Sequence, residues 1–144
     1  MKENQNTLDY NVWSAGEYKN NLEDIPYIGT TITAKTNNNY SVIGENSIHI
    51  QTSTSSGFFI ISNKQYTTNT VLTAKAHIRC LKGSVRFRID DGGINIISST
   101  TINENTTGDV SISGTIPSNG NWRLQLSVTS ETELYVDNIC LTTS

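Results

Sequence analysis

Residues 70–90 read TVLTAKAHIRCLKGSVRFRID, and this stretch decides the fold. Small or apolar residues take every second position from Leu72 to Cys80, with mostly polar residues between them. The second half repeats the alternation with three apolar residues, Val85, Phe87 and Ile89. A period of two is typical of a strand with one face in a core and the other in water. Lys82-Gly83 between the halves predicts a two-residue hairpin turn, because glycine readily adopts a positive φ.

A hairpin with this turn would pair Cys80 with Val85 and Arg79 with Arg86 within one sheet. Like charges directly opposite each other destabilise a sheet by roughly a few tenths of a kcal/mol. A face that concentrates arginine in this way has three interpretations. It is solvated, it is covered by carboxylates from a neighbouring element, or it binds an anionic or polar partner.

Length and composition favour a single all-β domain. The chain has 144 residues, of which 16% are charged and about a third are Asn, Ser or Thr. Good helix formers are scarce, whereas β-branched residues and turn formers are plentiful. The alternating segments predict a β-sandwich jelly roll of about eight to nine antiparallel strands over residues 11–144. Residues 1–10 are polar, and we expect a loose N-terminal arm there.

Charge and motif content narrow the function classes. The net charge of −3 argues against a general polyanion binder, so nucleic acid is not the expected partner. Residues 46–89 nevertheless contain six Lys or Arg and no acidic residue. No GxSxG, HExxH or phosphate-loop motif is present, so we do not expect an enzyme. Neither a signal peptide nor a membrane span is expected. Cys80 lies on the apolar parity, which predicts a buried free thiol.

The candidate ligand-binding residues come from the polar parity of three predicted strands. If those strands are neighbours, seven side chains share one face: Lys75, His77, Arg79, Arg86, Arg88, Arg123 and Gln125. The planar fork of arginine can hold carboxylate, phosphate or vicinal hydroxyl groups. Tyr27, Tyr40 and Tyr66 lie in or beside predicted loops and are candidate aromatic platforms. Trp122 falls on the apolar parity and is expected in the core.

Four segments, in order along the chain, resemble the jelly-roll carbohydrate-binding modules of families 4, 9 and 22, within the galactose-binding-like sandwiches. They are NVWSAGEYK at 11–19, GENSIHI at 44–50, Thr115-Ile116-Pro117 with Arg123-Leu-Gln-Leu, and LYVDNICL at 134–141. The resemblance covers nearly the whole chain. It implies glycan binding on a concave sheet face and a structural Ca²⁺ near the chain ends.

The resemblance also implies residues for that ion. Asp137 corresponds to a common calcium ligand, and Glu45 is a second candidate. The opening motif has Lys19 where the family has a glutamate, with Glu17 two residues earlier. Calcium needs six to eight oxygen ligands. Two hypotheses therefore stand: a structural Ca²⁺, or a Lys19 ammonium in place of the ion.

Two functions follow from the sequence. The first is a non-catalytic module that binds glycan or another anionic polymer through its Arg-rich sheet face, alone or within an enzyme assembly. The second is a structural virion protein, a decoration or tail accessory that docks onto a larger assembly and is displayed on the particle. The first predicts a ligand on the arginine face, and the second predicts protein partners.

Overall fold

The computed structural model describes residues 8, 13, 16, 18, 22, 25–53 and 56–144. In that part the chain forms ten strands. The first five are β1 (Tyr27–Ile28), β2 (Ile32–Asn37), β3 (Ser47–Thr52), β4 (Gly57–Tyr66) and β5 (Val71–Lys82). The other five are β6 (Ser84–Asp90), β7 (Ile96–Asn103), β8 (Thr106–Thr115), β9 (Gly120–Val128) and β10 (Thr132–Thr143).

The strands form two antiparallel five-stranded sheets packed as a β-sandwich. Sheet I has the order β2-β3-β10-β5-β8, and sheet II has the order β1-β4-β9-β6-β7. The predicted β-sandwich is therefore confirmed, with ten strands where about eight to nine were expected. No helix in the described part of the chain is long and apolar enough to span a membrane.

The core lies between the sheets and is built from the apolar parity of the strands. Leu72, Ala74, Ile78 and Cys80 of β5 are almost fully buried, as the alternation predicted. Trp122 is 3% exposed, so its expected core position is also confirmed. The core also includes a residue outside the strands: Leu8, from the range predicted as a loose arm, is 9% exposed and belongs to the core cluster. Cys80 and Cys140 are both free thiols, and Cys80 is buried as predicted.

The step from β5 to β6 departs from the predicted hairpin. Gly83 alone separates these strands, and its φ of 72° is the positive value expected of the turn. However, β5 pairs with β10 and β8, whereas β6 pairs with β9 and β7. The predicted pairing of Arg79 with Arg86 is therefore wrong. The turn carries the chain from one sheet to the other across the sandwich.

Candidate functional site

The crossover divides the predicted ligand-binding residues between two surfaces. Lys75, His77 and Arg79 lie on β5, at positions that face outward from sheet I. The other four lie on β6 and β9 and face outward from sheet II: Arg86, Arg88, Arg123 and Gln125. The expectation of one common face is wrong, because alternation gives the face of a strand but not the sheet to which the strand belongs.

A buried carboxylate organises the outer face of sheet II. Asp90, fully buried at the end of β6, lies opposite Arg123 of β9. Its Oδ2 accepts hydrogen bonds from Arg88 Nε at 2.7 Å and from Gln125 Nε2. Its Oδ1 accepts from Arg123 Nε at 3.1 Å and from the Gly92 amide at 2.8 Å. A carboxylate has about four acceptor positions, so all of them are used.

Both arginines donate to this carboxylate from Nε. Within the described residues, no hydrogen bond engages the Nη atoms of Arg88 or Arg123. These side chains are 15% and 20% exposed, so they still reach the solvent. Asp90 thus fixes two guanidinium groups side by side, with their Nη–H ends available to a ligand. The alternation of residues 84–90 already puts Asp90 on the same parity as Arg88, but Asp90 was not among the predicted site residues.

Exposed aromatic rings lie on the same face. Phe58 of β4 is 40% exposed and stands opposite Ser127 of β9. Tyr27 of β1 is 47% exposed and stands opposite Ile60, which makes Tyr27 and Phe58 diagonal neighbours. Phe58 was not among the predicted site residues, because residues 56–62, SGFFIIS, are apolar at both parities, a pattern that is consistent with a strand buried on both sides.

An open cleft of about 320 Å³ lies beside Phe58. Its lining includes Phe58, Arg86, Arg88, Thr101 and Ser127. The Arg88 guanidinium carbon is 5.8 Å from the centre of the Phe58 ring. Arg86 is exposed and donates from Nη2 to Ser99 Oγ at 3.1 Å. The cleft therefore combines one apolar ring with several hydrogen-bond donors, and its volume is at the small end of the range for ligand sites.

The outer face of sheet I carries a different arrangement, in which His77 and Arg79 contact other side chains of the same face. His77 Nδ1 lies 2.9 Å from Oδ1 of Asp109. The Arg79 guanidinium lies over the Tyr40 ring, 3.9 Å from its centre. Tyr40, 45% exposed, meets Tyr135 edge-on at 4.8 Å. These contacts bring together two of the predicted site residues, Tyr40 and Arg79. The two side chains lie against each other, and Tyr40 also contacts Tyr135, on the outer face of sheet I.

Sequence analysis also missed the centre of that face. His49 stacks on Tyr135, with ring centres 4.4 Å apart, and contacts Glu133 Oε2 at 2.8 Å. Gln51 Nε2 donates to the same carboxylate at 2.9 Å. The register His49–Tyr135–Arg79 across three strands explains the cluster. The sequence does not show it, because the register between strands far apart in the chain is not encoded in the period of any one of them.

The last two predicted ligand residues are less favourably placed. Lys75 is exposed on β5 and lies apart from the cluster of Tyr40 and Arg79. Tyr66 ends β4, is half-buried and packs against the core. Its ring is therefore not the free loop platform that was expected. A role of Tyr66 in ligand binding stays a prediction, as does that of the seven predicted strand residues.

The carboxylate of Asp137, the predicted calcium ligand, is occupied by hydrogen-bond donors. Oδ1 accepts from the Tyr18 hydroxyl and the Asn138 amide, and Oδ2 accepts from the amides of Val42 and Ile43 at 2.8 and 3.1 Å. These donors take the positions that a Ca²⁺ would need, so the described residues around Asp137 do not fit the ion.

The remaining predicted ion ligands do not change this conclusion. Glu45 is exposed in the loop before β3. In the part of the chain that the structure describes, no group of three His, Cys, Asp or Glu side chains could hold a metal ion. Lys19 and Glu17 lie outside the described residues, so the ammonium substitute stays a prediction. The donors seen at Asp137 are instead a hydroxyl and three backbone amides.

Comparison with solved structures identifies the fold. The carbohydrate-binding module TmCBM61, solved with β-1,4-galactotriose, matches 95% of this chain and 97% of its own, with a TM-score of 0.65 and 15% identity. A family 16 carbohydrate-binding module matches 88% and 95%, with a TM-score of 0.65 and 14% identity. Tailspike protein 4 of bacteriophage CBA120 matches 96% of this chain, with a TM-score of 0.66 and 14% identity.

These likenesses show the fold and leave the ligand open. The chain spans nearly the whole of the two modules but only 21% of the tailspike structure. No protein-family model and no curated protein sequence matches the chain. The chain therefore has the β-sandwich fold of carbohydrate-binding modules, at a sequence identity too low to carry over individual residues.

Proposed function

We propose that this chain is a non-catalytic glycan-binding module and that the outer face of sheet II is its binding surface. The observation that supports this most strongly is the exposed ring of Phe58 beside the guanidinium group of Arg88, which Asp90 holds in place. Phe58 and its diagonal neighbour Tyr27 give this face an exposed aromatic surface on which a ligand can stack.

The chemistry of the face suits a sugar. A pyranose ring has an apolar face of C–H groups, which packs on an aromatic ring, and a rim of hydroxyl groups, which require hydrogen-bond partners. Phe58 supplies the ring, with Tyr27 as its diagonal neighbour. Arg86 and Arg88 line the same cleft and supply donors. A sugar stacked on Phe58 would therefore bring its rim to the arginines.

The comparisons support the same function at the level of the fold. TmCBM61, which matches this chain over nearly its whole length, was solved with a bound galactotriose. A sandwich of this size can therefore bind an oligosaccharide without a further domain. The identity of 15% gives no residue-level support, so the face and the sugar rest on the geometry of this chain alone.

The acidic side chains beside the cleft do not suit catalysis. Asp90 is saturated by four donors. Hydrogen bonds from the Asn95 side chain and the Gly93 amide lower the pKa of Asp91. A general acid in glycoside hydrolysis needs a raised pKa, and it needs a second carboxylate across the scissile bond. The pKa of Asp91 is shifted in the opposite direction, and the four donors on Asp90 leave none of its acceptor positions for a substrate.

Affinity electrophoresis against a panel of soluble polysaccharides tests the proposal. The wild-type protein should be retarded by at least one polysaccharide. Phe58→Ala should lose the retardation, because it removes the stacking ring. Tyr40→Ala is the matched control, since Tyr40 has a similar exposed fraction but lies on sheet I. Thermal melts of both variants should stay near the wild type, as both rings are substantially exposed.

Two results would contradict the proposal. Retardation by no polysaccharide at all would remove glycan binding as the function. Retardation that survives Phe58→Ala and disappears in Tyr40→Ala would move the site to sheet I, where Tyr40, Arg79 and Tyr135 meet.

We also propose a second function, favoured by one comparison: a module of a virus particle. The tailspike of bacteriophage CBA120 contains a region that matches 96% of this chain. Mass spectrometry of purified particles from the source, together with the identity of neighbouring genes, tests this. Capsid or tail genes on either side and the protein in the particle would support it. Absence from particles would contradict it. A virion module that binds glycan would satisfy both proposals.

A further inference from the structure

We infer that the glycan bound on the outer face of sheet II is anionic and that its carboxylate or sulfate group is held by Arg86 and the Nη end of Arg88 in the cleft beside Phe58, with Arg123 next to Arg88 on the same face. The inference rests on the proposed function, which it narrows to a class of sugar. Three observations carry it: the geometry of the arginine pair, the balance of charge on the face, and the position of Phe58.

The arginine pair is set up to receive an oxyanion. Asp90 takes Nε from both Arg88 and Arg123 and holds the two side chains in place. The Nη1 and Nη2 atoms at the outer end of each guanidinium form the end-on fork that binds two oxygens of a carboxylate or sulfate. Because the side chains are already ordered by Asp90, a ligand bound there does not have to restrict them further.

The charge on the face remains positive when the Asp90 carboxylate is counted against the arginines. Three guanidinium groups, those of Arg86, Arg88 and Arg123, face outward. The Asp90 carboxylate pairs with Arg88 and Arg123, whereas Arg86 donates to the neutral Ser99 hydroxyl. Asp91, the next acid, is turned onto its own loop, where it accepts from Gly93 and Asn95. A neutral sugar would leave this excess charge uncompensated, whereas an anionic sugar neutralises it in a partly desolvated cleft.

The position of Phe58 sets the distance at which the anion would lie. Its ring centre is 5.8 Å from the Arg88 guanidinium carbon, and both residues line the same cleft with Arg86. A sugar ring stacked on Phe58 therefore carries its substituents toward Arg86 and Arg88. A carboxylate or sulfate on the ring would reach those donors, without any rearrangement of the strands.

Nucleic acid is the other anionic polymer to consider, and the observations favour sugar. The chain carries a net charge of −3, and the basic residues form a small cluster rather than a track for a phosphate backbone. Two neighbouring exposed rings, of which Phe58 lines the cleft of about 320 Å³, suit one or two sugar units better than a row of stacked bases.

The test pairs each acidic polysaccharide with its neutral counterpart. Pectate, alginate and glucuronoxylan are compared with their carboxyl-reduced forms, and a carrageenan with its desulfated form, by affinity electrophoresis at low and high salt. The wild type should bind at least one acidic polymer about tenfold more tightly than its neutral form. Raising the salt from about 20 to 200 mM should weaken that binding several-fold. The acidic polymer that is preferred over its neutral form shows whether the protein recognises a carboxylate or a sulfate group.

Two variants locate the anion. Arg86→Gln removes an exposed guanidinium and should lose most of the preference for the acidic form. Arg88→Lys keeps the charge and removes the fork, so it should reduce the preference as well; a thermal melt checks that it is folded. Arg79→Gln, on sheet I, is the control and should bind like the wild type.

The outcomes separate this inference from the proposed function. Equal, Phe58-dependent binding of acidic and neutral forms would overturn the inference and leave glycan binding in place. Binding to none of the polymers would overturn both. A preference for acid that Arg79→Gln abolishes and Arg86→Gln leaves intact, or binding that single-stranded DNA competes away with higher affinity, would also overturn the inference.

Discussion

Arg88 donates from Nε to Oδ2 of Asp90 over 2.7 Å, and the two residues lie two positions apart on the same face of one strand. The carboxylate is fully buried although it points away from the core of the sandwich, because the arginine and the following turn cover it. A buried charge of this kind is tolerated only when it is paired and hydrogen-bonded. The stability of sheet II and the order of its arginines therefore depend on the same carboxylate.

Asp90→Asn tests this dependence. The change removes the charge that balances Arg88 and Arg123, and it leaves an amide where two acceptors are needed. Loss of one partner from a buried ion pair costs about 3 kcal/mol or more. Urea denaturation should show that decrease in the free energy of unfolding.

Asp109→Asn is the matched control for that measurement. The Asp109 side chain is 88% exposed and lies 2.9 Å from His77 Nδ1. Exposed pairs of this kind are worth less than about 1 kcal/mol. A similar effect of the two changes would show that the network around Asp90 contributes no special stability.

The crossover at Gly83 predicts a second effect on stability. Gly83 has φ = 72°, and an added Cβ would lie 2.3 Å from the Glu131 carbonyl oxygen. Gly83→Ala should therefore lower the free energy of unfolding by about 2 kcal/mol or more.

Gly108→Ala provides the comparison. A Cβ at Gly108, in β8, meets no atom within 4 Å. We expect a change within about 1 kcal/mol there. If Gly83→Ala unfolds at the same urea concentration as the wild type, the turn does not cross between sheets in the way described.

Tyr18 makes the protein sensitive to alkaline pH. Burial, together with the hydrogen bond to Asp137 and its charge, raises the pKa of Tyr18 far above its ordinary value. The folded state therefore favours the protonated phenol. This contribution is complete below the unfolded pKa of about 10 and is lost as the pH rises above it.

Tyr18→Phe should remove that part of the alkaline loss, because no phenol remains to ionise. It should also destabilise the protein by about 1–3 kcal/mol at pH 7, since the buried carboxylate of Asp137 loses a donor. Denaturant titrations from pH 7 to 11 measure both effects. Tyr27→Phe, at an exposed ring, should match the wild type at pH 7. An unchanged alkaline slope in Tyr18→Phe would contradict the account.

The donor set at Asp137 predicts the response to calcium. Four hydrogen bonds from the protein occupy its oxygens. Melting temperatures in Ca²⁺ and in EDTA should therefore agree within about 2 °C, because an ion that binds only the folded state would raise the melting temperature. A shift of many degrees would show an ion site that the described residues do not reveal.

The sequence predicted which side chains face the core with good accuracy. Alternation in β5, β6 and β9 placed Ile78, Phe87 and Trp122 inside, and all three are buried. The reason is local: parity along an extended strand is set by the backbone, and burial of one face follows from the hydrophobic effect.

Sheet membership and the exposed position of Phe58 could not be predicted in the same way. The Lys82-Gly83 sequence is compatible with a two-residue hairpin turn or with a crossover, and the pairing partners of β5 and β6 lie far away in the chain. Phe58 was missed for a second reason. β4 has an irregular register between Ile60 and Ser62, so apolar residues at both parities do not mean that both faces of this strand are buried.

The most direct test of the binding surface is an NMR titration of the isotope-labelled protein with an oligosaccharide from the polymer that it binds. The account predicts that amide shift changes concentrate on sheet II, at Phe58, Arg88 and Ser127, and that sheet I stays unchanged. Changes concentrated around Tyr40, Arg79 and Tyr135 on sheet I, with Phe58 unaffected, would contradict it.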